Sequence, residues 1–543
     1  MKVRSDILRT YQSVHTWAGI IAGLLLFIGF YAGALTMFKP ELTQWATPPA
    51  HQLAPVPDGQ LQQLFDASLD QYPDSANNLI VSFTGDQSSV MWFVQGGGRG
   101  LRLSDTLRHA SFDANGNLTT TVAPVNELGR LIDELHRTAG IPGHIGHESV
   151  GVVLMGIAGV LYFVALVSGI IFLLPSLVKS FFALRKNKGA NRYWLDIHNL
   201  IGVVSLPFHL LIAWTIIVFA FHDLLYDGLQ VVYGDKPLFE RGQRSEVVYH
   251  TEQLRPLNDY SQFARDLAPD YTLTSMQFSN LNSTSPSLMM HLKGLNKMQR
   301  AGQTDVIYMQ PYTMDITYTS VNTVDNQPFG PIVKTLFSLH FGNFAGDTGR
   351  WLYFGMGILG AILFYTGNLL WLEKRRQKKG AQTRASRIMA ALTVGVSLGS
   401  ILGLVTCLLT TRWIYLLTNH INTGYLAVYY VVFFASLALC FLRGAPRGAI
   451  ILQYALAVSC LAIPLTSLAG IFGFQTMWAP AGPSGLTIEV MALLFAGVFW
   501  RMAKRTRERA FHGESQSIWS LREPEHEQQM AVRAGGKRPV SQV

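Results

Sequence analysis

Four histidines occupy matched positions in two similar parts of the chain. His15 and His198 each begin an H-x-x-x-G motif at the start of a long apolar run, and His136 and His340 each precede a later run. Ionisable residues at a membrane edge are costly and are therefore functional candidates. A b haem held by two imidazoles needs one histidine from each of two neighbouring helices at the same depth. We therefore expect two b haems, with His15 and His198 as one axial pair and His136 and His340 as the other.

A further histidine has no counterpart in the first half. His209 lies 11 residues after His198, which on a straight helix is nearly three turns, so the two residues should share one face. It would then lie near mid-membrane, where Pro207 loosens the helix and favours close cofactor packing. We expect His209 to contact the cofactor, either as an axial ligand in place of His198 or His15, or as a proton or edge contact. The remaining candidates are an interfacial residue, His222, and two loop residues with at most a weak metal site, His144 and His147.

The composition indicates which elements carry these histidines. Only 14% of the 543 residues are charged and 49% are hydrophobic, whereas a soluble chain is about 25% charged. About 20 apolar residues cross the hydrocarbon core as a helix. Eight stretches qualify or nearly qualify: 17–38, 150–178, 200–221, 351–372, 388–411, 423–442, 449–473 and 484–500. The three cysteines all fall in such stretches, so no thiolate metal cluster is expected.

The lysines and arginines indicate the orientation of the chain. Segments 1–16, 175–197, 373–388, 443–448 and 501–543 carry 26 of the 43 lysines and arginines. Cytoplasmic loops carry such an excess. Both termini are therefore expected in the cytoplasm, and the net charge of +9 reflects membrane topology, with no nucleic-acid partner.

These features predict a polytopic α-helical membrane protein with about eight transmembrane helices and two small α+β domains on the outer side. Alternating, strand-like stretches occupy 78–94 and 110–122 in one outer segment, and 272–292 and 306–321 in the other. The unit of helix, outer domain and helix occurs twice in parallel and is followed by four further spans. The expected divisions are 1–38 (N-terminus and first span), 39–148 (first outer domain), 149–221 (two spans and a cytoplasmic loop), 222–348 (second outer domain), 349–376 (fourth span), 377–503 (four additional spans) and 504–543 (a disordered cytoplasmic tail).

The order of these motifs resembles the PepSY-associated transmembrane family, which includes PiuB-like iron-regulated membrane proteins and bacterial ferric-siderophore reductases. The resemblance covers about residues 10–376 and rests on four short motifs: His15-Thr-Trp-Ala-Gly19, Leu135-His136-Arg137, His198-Asn-Leu-Ile-Gly202 with Pro207-Phe208-His209, and Leu339-His340-Phe341-Gly342. It implies PepSY-like periplasmic domains, b haem in the membrane core, and delivery of electrons to ferric siderophores at a bacterial inner membrane. The spans after Lys379 depart from the family's minimal four-helix pattern, and their role stays open.

The resulting hypothesis is a ferric-siderophore reductase embedded in membrane lipid. No protein group is expected to perform acid–base chemistry, so no catalytic side chain is predicted. The sequence has no dinucleotide-binding fingerprint, so the electron donor is expected to be quinol or a cytoplasmic reductase. Two alternatives belong to other classes, namely a haem-free siderophore or metal permease component and a PepSY-type envelope sensor or regulator.

Overall fold

A computed structural model describes most of the chain. The described residues are 4–85, 87–97, 100–146, 148–176, 184–185, 190–222, 228, 247–321, 330–379, 382–473, 478–479 and 482–521. Helices dominate this part of the chain: α1 (Ser5–Thr36), α2 (Lys39–Ala46), α3 (Asp58–Gln71), α4 (Leu128–Thr138), α5 (Val150–Leu173), α6 (Ala190–Val204), α7 (Leu206–Ala220), α8 (Leu257–Leu267), α9 (Gly330–Phe341), α10 (Gly346–Lys379), α11 (Arg384–Leu417), α12 (Ile421–Ile471) and α13 (Gly482–His512).

Among the described residues, six helices are long and apolar enough to cross a membrane, or seven when a bent pair is counted as one span. The six are α1, α5, α10, α11, α12 and α13, and the bent pair is α6 with α7. A multi-pass membrane protein is therefore confirmed, whereas the predicted count of eight spans stays a prediction.

The helix predicted over 200–221 is not straight. It starts earlier, in α6, and α7 follows after a bend of 69°. Ser205 separates the two helices and Pro207 stands in the first turn of α7, where proline is tolerated because its missing N–H has no intrahelical partner. The expectation that His198 and His209 share one face of a straight helix is therefore wrong.

Helix α12 is longer than a single membrane span and is interrupted near its middle. At about 1.5 Å per residue its 51 residues would extend far beyond a hydrocarbon core of roughly 30 Å. Gly444 interrupts it with a φ of 77°, a left-handed conformation that glycine adopts without steric cost. The predicted stretches 423–442 and 449–473 lie in the two arms on either side of this glycine.

The two outer segments build one continuous sheet. Its strands lie in the order β10-β9-β8-β7-β1-β2-β3-β4, and every neighbouring pair is antiparallel. The two halves meet where β1 pairs with β7, with Leu79 opposite Phe278. A separate two-stranded ribbon joins β5 to β6. The bounds are β1 (Asn78–Ser82), β2 (Val90–Gln95), β3 (Thr106–Phe112), β4 (Leu118–Pro124), β5 (His144–Ile145), β6 (Glu148–Ser149), β7 (Tyr271–Ser279), β8 (Ser287–Gly294), β9 (Asp305–Met309) and β10 (Ile316–Thr319).

Each half of the sheet follows one helix, α3 in the first half and α8 in the second. Apolar residues from both halves form a single buried core that includes Phe65, Trp92 and Phe278. The two segments predicted as separate small domains therefore share one sheet and one core. Each strand-like stretch identified in the sequence covers parts of two consecutive strands of this sheet and the turn between them. Alternating apolar and polar residues are typical of strands with one buried face.

The beginning of the predicted tail is ordered, so its predicted boundary at residue 504 is too early. Helix α13 continues to His512. Beyond it, the side chains of Ile518 and Trp519 are buried against the helical core. Glu373 of α10 holds this segment by accepting hydrogen bonds from Ser517 Oγ at 2.7 Å and from the Ile518 backbone N–H at 3.2 Å.

Candidate functional site

The structure brings together the first predicted histidine pair. His15 on α1 and His198 on α6 have ring centres 6.4 Å apart, with their planes at 77°. Two imidazoles on opposite sides of one metal, each bonded at about 2 Å, have ring centres roughly 6 Å apart once the ring radii are included. The spacing of this inner pair is therefore one at which His15 and His198 could hold one iron between them.

The hydrogen bonds of the inner pair decide which ring nitrogen is available. His15 Nδ1 lies 2.8 Å from the Ala165 carbonyl oxygen, which can only accept, so Nδ1 carries the proton. His198 Nδ1 lies 3.1 Å from Thr366 Oγ1. This hydroxyl already donates its proton to the Ile362 carbonyl at 2.8 Å, so it accepts from His198. In both rings Nε2 keeps its lone pair for a metal, as in haem and zinc sites where the other nitrogen is hydrogen-bonded.

The second pair has the same construction at the opposite end of the helices. His136 on α4 and His340 on α9 have ring centres 6.0 Å apart, with their planes at 39°. His136 Nδ1 donates to the Gly29 carbonyl at 2.8 Å. His340 Nδ1 lies 2.8 Å from Thr215 Oγ1, whose own proton goes to the Leu211 carbonyl at 3.0 Å. This outer pair therefore also keeps both Nε2 lone pairs free.

The protonation state of His340 suits a ligand. Burial, with a smaller contribution from His136, lowers its pKa to about 3. An imidazole must be neutral to bind a metal. His340 is therefore in the ligating form throughout the physiological pH range.

Glycines stand against three of the four rings. A Cβ on Gly169 would lie 2.9 Å from His15 Nδ1, one on Gly33 would lie 2.6 Å from His136 Nδ1, and one on Gly367 would lie 3.3 Å from His198 Cε1. Real Cβ atoms almost never approach heavy atoms closer than 3.0 Å. At Gly169 and Gly33 the neighbouring helix can approach the ring this closely only because a side chain is absent, whereas a Cβ at Gly367 would make a tight contact.

A cavity of about 1030 Å³ opens at the inner pair and is lined by both His15 and His198. Its size is at the upper end of cofactor and ligand pockets, roughly 300–1,000 Å³. Four basic residues line it as well: Arg9, Arg192, Lys374 and Arg375. A b haem carries two carboxylates, so a pocket with two imidazoles and a basic lining has the donor set that this cofactor needs.

His209 does not join either pair among the described residues. Its side chain is fully buried, and its ring packs against Phe30, Tyr162 and Phe208 with centres 5.5–6.0 Å apart. Neither Nδ1 nor Nε2 has a hydrogen-bond partner. The predicted role of His209 as an axial ligand or an edge contact stays a prediction.

The other histidine candidates lie apart from the pairs. His222 Nδ1 donates to the Phe219 carbonyl at 2.8 Å, in an exposed position at the end of α7. His144 is exposed on the β5–β6 ribbon, and His147 lies outside the described residues. Within the described part of the chain, no group of three or more histidine, cysteine, aspartate or glutamate side chains could hold a metal ion.

A buried charged pair that was not predicted lies between α11 and α13. Arg412 Nη2 lies 3.9 Å from Glu489 Oε1, and the arginine side chain is fully buried. Glu489 also accepts a hydrogen bond from Trp45 Nε1 at 2.8 Å. Arg412 stands near the end of an apolar run, where an interfacial arginine is ordinary, so its burial has no signature in the sequence.

These features define a multi-pass membrane protein in which one bundle carries a histidine pair near each end and a β-sheet beyond one of them. The chain belongs to the family described as the PepSY-associated TM region, which matches residues 12–374. The resemblance seen in the sequence is thereby confirmed, and the match ends before α11. No curated protein matches the chain significantly.

Proposed function

We propose that the chain is a haem b oxidoreductase that passes electrons from the cytoplasmic side to a ferric siderophore in the periplasm. The observation that carries this proposal is the pair of matched imidazole sites, with ring centres 6.4 and 6.0 Å apart. In each site both Nδ1 atoms are engaged by the protein, which leaves both Nε2 atoms for iron.

In this proposal His15 and His198 hold one haem, and His136 and His340 hold the other. When bound, haem iron supplies reversible one-electron chemistry. The chain orients the imidazoles through Ala165, Gly29 and the two threonine hydroxyls. The basic lining of the inner cavity would neutralise the carboxylates of the cofactor, and His209 would contribute a buried aromatic cluster with Phe30, Tyr162 and Phe208.

The location of the outer pair supports reduction on the side that carries the sheet. Helix α4 follows β4 after only three residues, and Lys334 of α9 contacts Asp305 of β9 at 2.8 Å. Each ferric ion takes up one electron from a donor on the inner side, either quinol or a cytoplasmic reductase. The product Fe(II) is a weaker partner for hard oxygen ligands, so the siderophore releases it.

The proposed membrane topology follows from the basic segments. Counting α6 with α7 as one span and each arm of α12 as one span gives eight among the described residues, and with this even number we propose that both termini lie on the same side. The excess of lysine and arginine supports placing that side in the cytoplasm, and the proposed membrane is a bacterial inner membrane.

Haem content tests the proposal directly. Membranes from haem-replete cells expressing the chain are expected to give a pyridine haemochromogen spectrum of b haem, with two haems per purified chain. Dithionite should produce a sharp α band in the purified protein. A colourless preparation that is fully folded would exclude the redox function and favour the permease or sensor alternatives.

A glycine substitution is expected to weaken the outer site alone. In Gly33→Ala the new Cβ would lie 2.6 Å from His136 Nδ1, so the ring must move and lose its bond to Gly29. Loss of an outer-shell partner typically lowers metal affinity about 10–100-fold. Gly355→Ala is the matched control, because a Cβ there has no neighbour within 4 Å. Haem content and spectra after gel filtration check the prediction, and an undisturbed outer haem in Gly33→Ala would contradict it.

A further inference from the structure

The helix that carries His136, α4, is bonded at both ends to the C-terminal helices α11 and α12. These two helices lie outside the family match, which ends at residue 374. At its start, Asn126 Oδ1 accepts a hydrogen bond from the Leu128 backbone N–H at 2.9 Å. The Asn126 amide donates to the hydroxyls of Tyr415 on α11 and Tyr425 on α12, at 3.0 and 3.1 Å. The first turn of α4 is therefore tied to two C-terminal helices through one buried side chain.

Asn422 of α12 reinforces this connection. Its Oδ1 accepts from the Glu127 backbone N–H at 3.0 Å, and its Nδ2 donates to the Val125 carbonyl at 2.8 Å. The side chain is 2% exposed, so both bonds are shielded from water. Buried hydrogen bonds are costly to break because the abandoned partner stays desolvated.

At the other end of α4, the hydroxyl of Tyr430 on α12 donates to the Gly140 carbonyl at 2.8 Å. This bond lies four residues after His136, where the chain leaves the helix through the left-handed residues Ala139 and Gly140. Helix α12 is thus bonded to the chain at both ends of α4, in addition to the contacts that α4 makes with α1 and α2.

The helix that carries His340 is anchored differently. Lys334 of α9 pairs with buried Asp305 of β9 at 2.8 Å. Just after α9, Asn343 Nδ2 donates to the Ala301 carbonyl at 3.0 Å in the loop between β8 and β9. The helices of the two outer imidazoles therefore have different additional anchors: α4 is bonded to α11 and α12, and α9 is bonded to the sheet.

We infer that the C-terminal helices position His136 for the outer haem, with Asn422 and Tyr430 as positioning residues. This inference rests on the proposed function. It assigns a role to α11 and α12, which have no histidine in either pair. By holding α4, these helices would help to fix the distance between His136 on α4 and His340 on α9. The inner pair has no such dependence in the described contacts, because its partners are on α5 and α10.

The experiment uses the full-length protein loaded with haem. Tyr430→Phe removes the hydroxyl that holds Gly140, and Asn422→Asp keeps the acceptor for Glu127 while losing the donor to Val125. Tyr454→Phe is the control, because that ring on the same helix packs against Trp500 at 5.2 Å, away from α4. Low-spin EPR signals, a redox titration and the rate of haem transfer to an apo-acceptor are measured for each variant.

In the Tyr430 and Asn422 variants we expect a shifted EPR signal and potential for the outer haem, and a transfer rate roughly tenfold higher, the lower end of outer-shell effects. The inner haem and the Tyr454 control should keep wild-type values. Wild-type behaviour of the outer haem in both variants would overturn the inference, as would equal loss of both haems, which indicates general destabilisation. A wild-type protein that binds no haem would instead refute the proposed function.

Discussion

Replacing His136 or His340 by alanine is expected to remove the outer haem and leave the inner haem spectrally intact. Each outer imidazole has its Nδ1 committed to the protein, so alanine deletes the only nitrogen that could face the iron. Iron with one remaining imidazole is weakly held or becomes high-spin. The haem to protein ratio should fall from two to about one, and the low-spin EPR signal of one site should disappear.

The converse is expected for His15→Ala and His198→Ala, which should remove the inner haem. His222→Ala is the matched control, because its Nδ1 bonds within its own helix end, to Phe219. Wild-type haem content and spectra in all four ligand variants would show that the axial assignment is wrong. The next variants to test would then be those of His209 and His144.

The sequence predicted which histidines lie close together in the fold. The pairing of His15 with His198 and of His136 with His340 followed from the duplicated motifs, because equivalent residues of parallel repeats face each other across the bundle. The structure places these residues together, and their ligand role stays a prediction.

The side chains that orient the rings were beyond sequence reasoning. Thr215 and Thr366 resemble any hydroxyl in a membrane helix, since each also donates to a carbonyl within its own helix. Gly33 and Gly169 look like ordinary small residues of packed helices. Their role depends on distances between helices, which one sequence does not encode locally.

The observed fold differs from the predicted fold because contacts between distant parts of the chain are not visible in the sequence. The edge of a small predicted domain is a row of unpaired backbone groups, and here β1 and β7 satisfy each other's edges, so that two segments become one sheet. Hydropathy does not register a bend such as the one at Ser205, because both arms are apolar. The order beyond residue 504 depends on Glu373, more than a hundred residues earlier in the chain.

Reduction of a ferric hydroxamate is expected only from the membrane face that carries the sheet. The helices of His136 and His340 connect directly to this sheet, with Lys334 and Asn343 bonded to it. The outer pair is thus the one closest to a substrate on that side. In liposomes of known orientation, dithionite-reduced protein under nitrogen should reoxidise when the chelate is on the sheet side, and a ferrous trap should colour at the same rate.

A C-terminal tag reports the orientation, because the terminus is proposed to lie on the opposite face. Chelate added on that opposite face should leave the protein reduced for the duration of the experiment. The His136→Ala protein provides the internal control: it should keep its reduced inner haem but oxidise far more slowly from the sheet side, because the site nearest the substrate is empty. Fast oxidation by chelate on the tag-bearing face would reverse the proposed electron path and leave the outer histidine pair without its assigned role.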